Sequence, residues 1–409
     1  MSEYGSKWLT SYGEKKLSKR EKQLQADSAL RLMDDFVDAE NGTMRSTVIS
    51  GGSVSMRSTV ALALLRRQMQ LGMPVFVLHR GNSRFIQTLC KDGRNAFIPN
   101  GHQFLNFDPL TRIQSETVVS ILSEIAETRL GCGKKLRSVL KLGLELIAAE
   151  GKRCSLKTLC DFHWEDMAEY VQMSDVIDAM SYINRIGAVS ESLADAQALF
   201  DALQEECLPR TYGEREAIGF GDAVRLNACV CIDIMSDSNL MFMELYFTAL
   251  KRMKATGRSF MVIVDSLGMP EDKKSSIREL LLSDDSRVPT VCVSADTTTM
   301  PGLTSEDFAR LVGGETNVVV FSHQSGSSAD KWSEYFGEYY HVKRDESMGY
   351  SKDNLSILRK TNTRSVTIGE ERRRRILPEQ VTNLPPGCAI ISPGKVYQEG
   401  KLFTLISFE

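Results

Sequence analysis

Residues Gly51 to Thr59, GGSVSMRST, follow the β-branched run Thr47, Val48, Ile49 and lead directly into the apolar stretch VALALL. A strand, a glycine turn and a helix start bring backbone N–H groups and the positive end of a helix to one point, which suits an anion such as phosphate. Counted from Gly52, the segment Gly52-Ser53-Val54-Ser55-Met56-Arg57-Ser58 follows the pattern G-x-x-x-x-G-K-[ST] in part. Gly52, Ser53, Ser55, Arg57, Ser58 and Thr59 are the candidate cradle, with Arg57 in the place of lysine and Met56 in that of the second glycine. A left-handed methionine costs roughly 1–2 kcal/mol, and a guanidinium is larger and flatter than an ammonium. The run FMVIV ends on Asp265, which together with the Ser58 hydroxyl would hold Mg2+, while Ser266 follows where a glutamate would polarise water. Losing a general base costs about 10² to 10⁴ in rate. The expectation is ATP with Mg2+ as ligand and weak or absent hydrolysis. A glycine-rich turn of an ordinary α/β fold is the competing reading.

His323 and Gln324 close NVVVFSHQ, where a polar group would lie beside such a loop, either to sense a nucleotide or to cap the next helix. Arg372, Arg373, Arg374 and Arg375 form the densest positive run, suited to nucleic-acid phosphates or to a solvated face. Trp332, Tyr335 and Phe336 recur at helical spacing and read as core. Cys154, Cys160 and His163 match no common zinc spacing, so no zinc is expected.

These residues need a framework. Strand signals at 46–50, PVFVLH, ACVCIDI, FMVIVD, VPTVCVS and NVVVFS alternate with helical patterns, which predicts a parallel sheet covered on both faces. A helix is expected from about Ser58 to Leu71, stopped by Gly72. Helix formers from Lys15 to about Asp38 predict a helical extension over 1–45. Between them, 46–114 and 218–409 make the α/β domain, and four helical spans without strand signals make an all-α insertion over 115–217. From about Leu355, short β-like pieces (SILRK, RSVTIG, CAIIS, KLFTLISF) predict C-terminal hairpins.

The chain has 409 residues, 42% of them apolar, which excludes a largely disordered protein. No apolar run approaches a membrane span, and the charged N-terminus lacks a signal core, so a cytoplasmic protein is expected. The nine scattered cysteines suit reduced thiols. A net charge of −3 makes no global case for nucleic acid.

The order of the segments resembles the type IV secretion coupling proteins, motor ATPases of conjugative DNA transfer. FLNFDPLTR is similar to their Asn-Pro-Phe/Leu-Asp signature, with Asn106, Asp108 and Pro109 in shuffled order. FMVIVDSLGMPED looks like their Walker B strand, with Ser266 for glutamate. SADTTTMPGL stands at a motif that carries glutamine in the family, and RILPEQVTNLPPGCAIISPGK resembles the closing Pro-Glu-Glu and Leu-Pro-x-Gly stretch. The resemblance implies a RecA-like P-loop NTPase domain with an inserted all-α domain. It also implies a homo- or hetero-oligomeric ring, DNA or a relaxase-type protein complex as partner, and membrane contact through other subunits. A non-enzymatic pseudo-ATPase scaffold or substrate-recruitment subunit is the alternative.

Overall fold

The computed structural model describes residues 36–38, 42–80, 96–97, 106–174, 177–211, 217–233, 240–266, 276–282, 287–352, 360–394 and 404–407. Its strands are β1 (Val37–Asp38), β2 (Thr43–Met44), β3 (Thr47–Ser50), β4 (Val75–His79), β5 (Ala96–Phe97), β6 (Asn106–Phe107), β7 (Ala217–Ile218), β8 (Cys229–Asp233), β9 (Met261–Asp265), β10 (Thr290–Ser294), β11 (Asn317–Val320), β12 (Glu338–Lys352), β13 (Lys360–Arg374), β14 (Cys388–Ser392) and β15 (Thr404–Ser407).

Nine of these strands form one sheet in the order β15-β14-β11-β3-β10-β9-β4-β8-β5. Seven are parallel, and β14 and β15 close one edge antiparallel. The runs read as continuous apolar stretches because alternate residues serve opposite faces. Ile49, Val77, Ile263 and Val293 pack with Val60, Leu64 and Leu65 of the Val54–Gln70 helix. Val48, Phe76, Val262 and Val320 face the other way, into a larger core.

That larger core also contains Leu136, Trp164 and Phe200, so the helical insertion is continuous with the sheet rather than packed apart from it. The helices Ser115–Leu130, Gly133–Ala149, Ala179–Ala188 and Leu193–Glu206 occupy the four expected spans, and the shorter Leu156–Cys160 and Met167–Met173 lie between them. At the base of the insertion β6 pairs parallel with β7. There Asp108, fully buried, accepts from the Leu110 amide at 2.8 Å, the Leu156 amide at 2.7 Å and the Thr111 hydroxyl at 3.3 Å. The signature-like segment therefore works in this fold as a clamp joining the neck to the Leu156–Cys160 helix.

One expectation changes at the start of the chain, and the antiparallel pairs expected at its end form. Val37–Asp38 pairs antiparallel with Thr43–Met44 where the helix was expected to run to about Asp38, and Phe36 and Met44 are fully buried in the core shared with the Val54–Gln70 helix. The rest of the expected extension, residues 1–35, lies outside the described residues, as do residues 81–95 and the SILRK piece up to residue 359. At the other end, CAIIS and TLIS extend the main sheet, while β12 and β13 form a separate antiparallel ribbon paired from Glu338–Arg374 to Lys352–Lys360. The first half of that ribbon carried no strand signal in the sequence reading. Among the described residues no helix is long and apolar enough to cross a membrane.

Candidate functional site: a phosphate loop at the carboxyl edge of the sheet

Parallel α/β sheets bind ligands beyond the carboxyl ends of their strands, and here that rim carries the candidate residues. Ser50 is level with Ser294 and Val320, and Asp265 is level with Val293 and His79. The glycine turn and the aspartate therefore belong to one sheet, with β10 alone between their strands.

The loop is shorter than its sequence suggests. Ser53 has an extended backbone and its hydroxyl accepts the Met56 amide at 3.3 Å, which makes it an N-cap. The helix therefore begins at Val54, four residues before the expected start, and Met56 sits in a right-handed turn with no left-handed strain. The eight-residue frame ending at Ser58 opens on Gly51, not Gly52. Gly51 is the site residue that the count from Gly52 missed, although the Gly-Gly pair signalled it.

Four amides of this segment are engaged within the protein. Gly51 donates to the Ser294 carbonyl at 3.3 Å, Gly52 to the Ser322 carbonyl at 3.0 Å and Arg57 to the Ser53 carbonyl at 3.2 Å. With Met56 held by the cap, four donors are committed inside the protein. Both glycines have positive φ, and a Cβ on Gly51 would lie 2.5 Å from His323 Cε1 and 2.8 Å from the Phe321 carbonyl oxygen.

Arg57 is only 4% exposed and folds beneath the turn, its Nη1 donating to the carbonyls of Gly51 at 3.1 Å and Gly52 at 2.6 Å. Burial lowers its pKa from the ordinary value, against the pull of the Asp265 carboxylate. Asp265, 2% exposed, also accepts from the Ser266 hydroxyl at 2.9 Å, and Ser266 is left-handed at φ 60°. Arg57 Nε is buried without a hydrogen-bond partner, so an outside ligand reaches it only if the loop moves. Ser58 is buried in the first turns of the helix, whereas Ser53, Ser55 and Thr59 are exposed, and Thr59 donates back to the Ser55 carbonyl at 2.9 Å. Val54, 54% exposed, presents an apolar side chain at the helix start.

His323 is wedged between this loop and the Gly326–Phe336 helix, while Gln324 is exposed. Its Nδ1 lies 2.8 Å from the Phe321 carbonyl, and its Nε2 lies 2.9 Å from the Ser50 hydroxyl and 3.3 Å from Trp332 Nε1. An indole N–H only donates and a carbonyl only accepts, so the proton is on Nδ1 and the ring is neutral. Ser50 in turn receives the amide and hydroxyl of Thr297 at 3.0 and 2.9 Å. Ser325, not His323, is the N-cap of the next helix. Burial lowers the His323 pKa, with Arg57 adding to the shift and Phe321 and Asp296 opposing it. The unfolded chain takes up a proton near pH 6.5 and the fold does so only at lower pH. Stability present above that value is expected to fall as pH drops from 7.5 to 5.5. Thermal melts should show this slope reduced in His323→Gln, whose side chain does not titrate.

The four arginines do not form one patch. Strand alternation puts Arg372 and Arg374 on one face of the ribbon and Arg373 on the other. Arg372 lies over the Tyr340 ring at 5.3 Å, Arg373 pairs with Glu371 at 2.9 Å, Arg374 pairs with Asp330 at 2.9 Å, and Arg375 Nε donates to the Glu338 carbonyl at 3.3 Å. Among the described residues no three or more His, Cys, Asp or Glu side chains cluster so as to hold a metal ion.

No family model matches the sequence, and no curated protein matches it. Solved structures do. A trigonal form of the bacterial conjugative coupling protein TrwB in complex with sulphate is 13% identical, with a TM-score of 0.55 over 93% of this chain and 92% of that one. TrwB in complex with ADP and Mg2+ is 12% identical, with a TM-score of 0.55 over 94% and 92%. The chain has the coupling-protein fold. The α/β class follows from the mainly parallel sheet, and the Gly51–Ser58 turn lies at the carboxyl end of one of its central strands. The ADP–Mg2+ ligand of TrwB fits this loop poorly as it stands: the Gly51 and Gly52 amides are bonded within the protein, and Arg57 holds the loop's own carbonyls.

Proposed function

We propose that this chain is a coupling-protein-like component of a conjugation or type IV secretion machine whose nucleotide site is closed from within. It serves as a non-hydrolysing member of an oligomeric assembly that handles DNA or a relaxase-type protein complex, and it meets the membrane through partner subunits. One observation carries the reading: the Arg57 guanidinium is turned onto the Gly51 and Gly52 carbonyls, with Asp265 in electrostatic reach. In a working P-loop that charge belongs to the β/γ-phosphates and the aspartate to Mg2+. Here the Arg57 charge is turned inward onto the loop's own carbonyls, with the Asp265 carboxylate pulling on it electrostatically.

Melting the protein with and without millimolar ATP and Mg2+ tests this. A ligand at a hundred times its dissociation constant adds about 2.7 kcal/mol, whereas no upward shift and no phosphate release are expected here. A rise in melting temperature that Ser58→Ala abolishes would overturn the closed site and favour a nucleotide-binding motor. Phosphate release above the Ser58→Ala background would do so even more directly.

A further inference from the structure

Three of the seven large apolar side chains exposed among the described residues gather at one end of the helical insertion. Met173 is 79% exposed, Ile177 90% and Met180 68%, at the end of the Met167–Met173 helix, in the following turn and in the first turn of Ala179–Ala188. The support beneath is firm, since Met167 and Val171 are buried and Trp164 stacks on Phe200 at 4.3 Å. The Ala179–Ala188 helix buries only Ile186, so most of its surface faces outward.

The nearby lysines are paired with carboxylates: Lys152, over the Tyr170 ring at 5.7 Å, with Glu150 at 2.9 Å, and Lys157 with Asp161 at 2.8 Å. From Thr158 to Asn184 there are six acidic residues and no lysine or arginine. Glu165, Asp166, Glu169 and Asp178 are exposed, Glu169 one helical turn from Met173 and Asp178 next to Ile177. Arg185, the next cation, is engaged with Glu145 at 2.6 Å and lies over the Tyr182 ring. Clustered exposed apolar side chains mark contact surfaces, and unbranched methionines adapt to varied partners. A second copy would set two acidic rims against each other, and an anionic lipid surface would repel this one.

We propose that the Met173–Ile177–Met180 tip of the insertion docks a cationic amphipathic helix of a partner protein, its apolar face on these three side chains and its lysines or arginines on the acidic rim. The proposal does not depend on the nucleotide loop, so the two stand or fall separately.

A fluorescently labelled leucine–lysine peptide patterned as an amphipathic helix, titrated into the full chain and followed by anisotropy, tests it. Saturable binding is expected, weakened at least about tenfold in Met173→Ser/Ile177→Ser/Met180→Ser. Glu165→Lys/Glu169→Lys/Asp178→Lys should also weaken binding and flatten its dependence on salt. A peptide of the same composition in alternating order, and a leucine–glutamate version, should bind far less. Affinity unchanged in both variants, or equal affinity for the leucine–glutamate peptide, would overturn the proposal. Concentration-dependent dimerisation abolished by the triple serine variant would overturn it in favour of a second copy. All six positions are exposed, and unchanged melting of either variant suffices to separate lost docking from lost folding.

Discussion

Arg57→Ala is expected to destabilise the ligand-free protein by about 2–3 kcal/mol, the usual cost of removing a charged donor from buried backbone carbonyls. For a fold of about 400 residues that is roughly 2–4 °C in melting temperature. Two effects add up. The Asp265 carboxylate, 2% exposed, loses the cation in its reach, and the Gly51 and Gly52 carbonyls lose the donor that holds the turn. Arg57→Lys should recover part of the loss, because an ammonium keeps the charge but lacks the planar fork that spans two carbonyls. An open phosphate loop behaves differently, since its basic residue reaches toward ligand and its removal hardly alters the empty fold. Melts without nucleotide therefore separate the two states of the loop, and an Arg57→Ala protein as stable as the parent would refute the internal role of this residue.

Gly51→Ala is the second large expected effect. The residue is left-handed at φ 84°, which costs a side chain roughly 1–2 kcal/mol, and the new methyl would meet the His323 ring and the Phe321 carbonyl inside contact distance. Overpacking of this kind adds about 1–3 kcal/mol. His323 cannot easily yield, being held by Ser50, Phe321 and Trp332. A loss of about 2–5 kcal/mol in thermal or urea melts is expected, together with exposure of Trp332, whose indole rests on the same imidazole. Indole fluorescence that keeps its native maximum in a stably folded Gly51→Ala protein would show that the loop and the Gly326–Phe336 helix are not coupled through His323.

The neighbourhood of Gly51 shows where reading the chain in one dimension fell short. Counting from Gly52 left out the glycine with the closest backbone approach, because the pattern of residue types says nothing about which of two adjacent glycines meets a neighbouring strand. The helix start was set four residues late because Ser53 lies within the expected loop. Its capping bond to Met56 competes with a phosphate-wrapping conformation and prevails here. Of the two roles open to His323, capping falls to Ser325, and the ring itself is a neutral group bonded between two layers. Arg372 to Arg375 looked like one cationic block, and strand alternation with local acids divides it.

Local chemistry was enough for the elements. β-branched runs, turn residues and helical periodicity lie close together in the chain, so the parallel sheet, the inserted helices and the strand ending in Asp265 could all be read from the sequence. Those patterns report burial, which each segment carries in its own side chains. The state of the site depends on groups far apart in sequence that meet only on folding: Arg57 with Asp265, Ser50 with Thr297 and His323, Gly51 with Phe321. Whether a guanidinium points out to a phosphate or in to its own loop is a competition between desolvation and internal partners, and the packed tertiary structure alone supplies those partners.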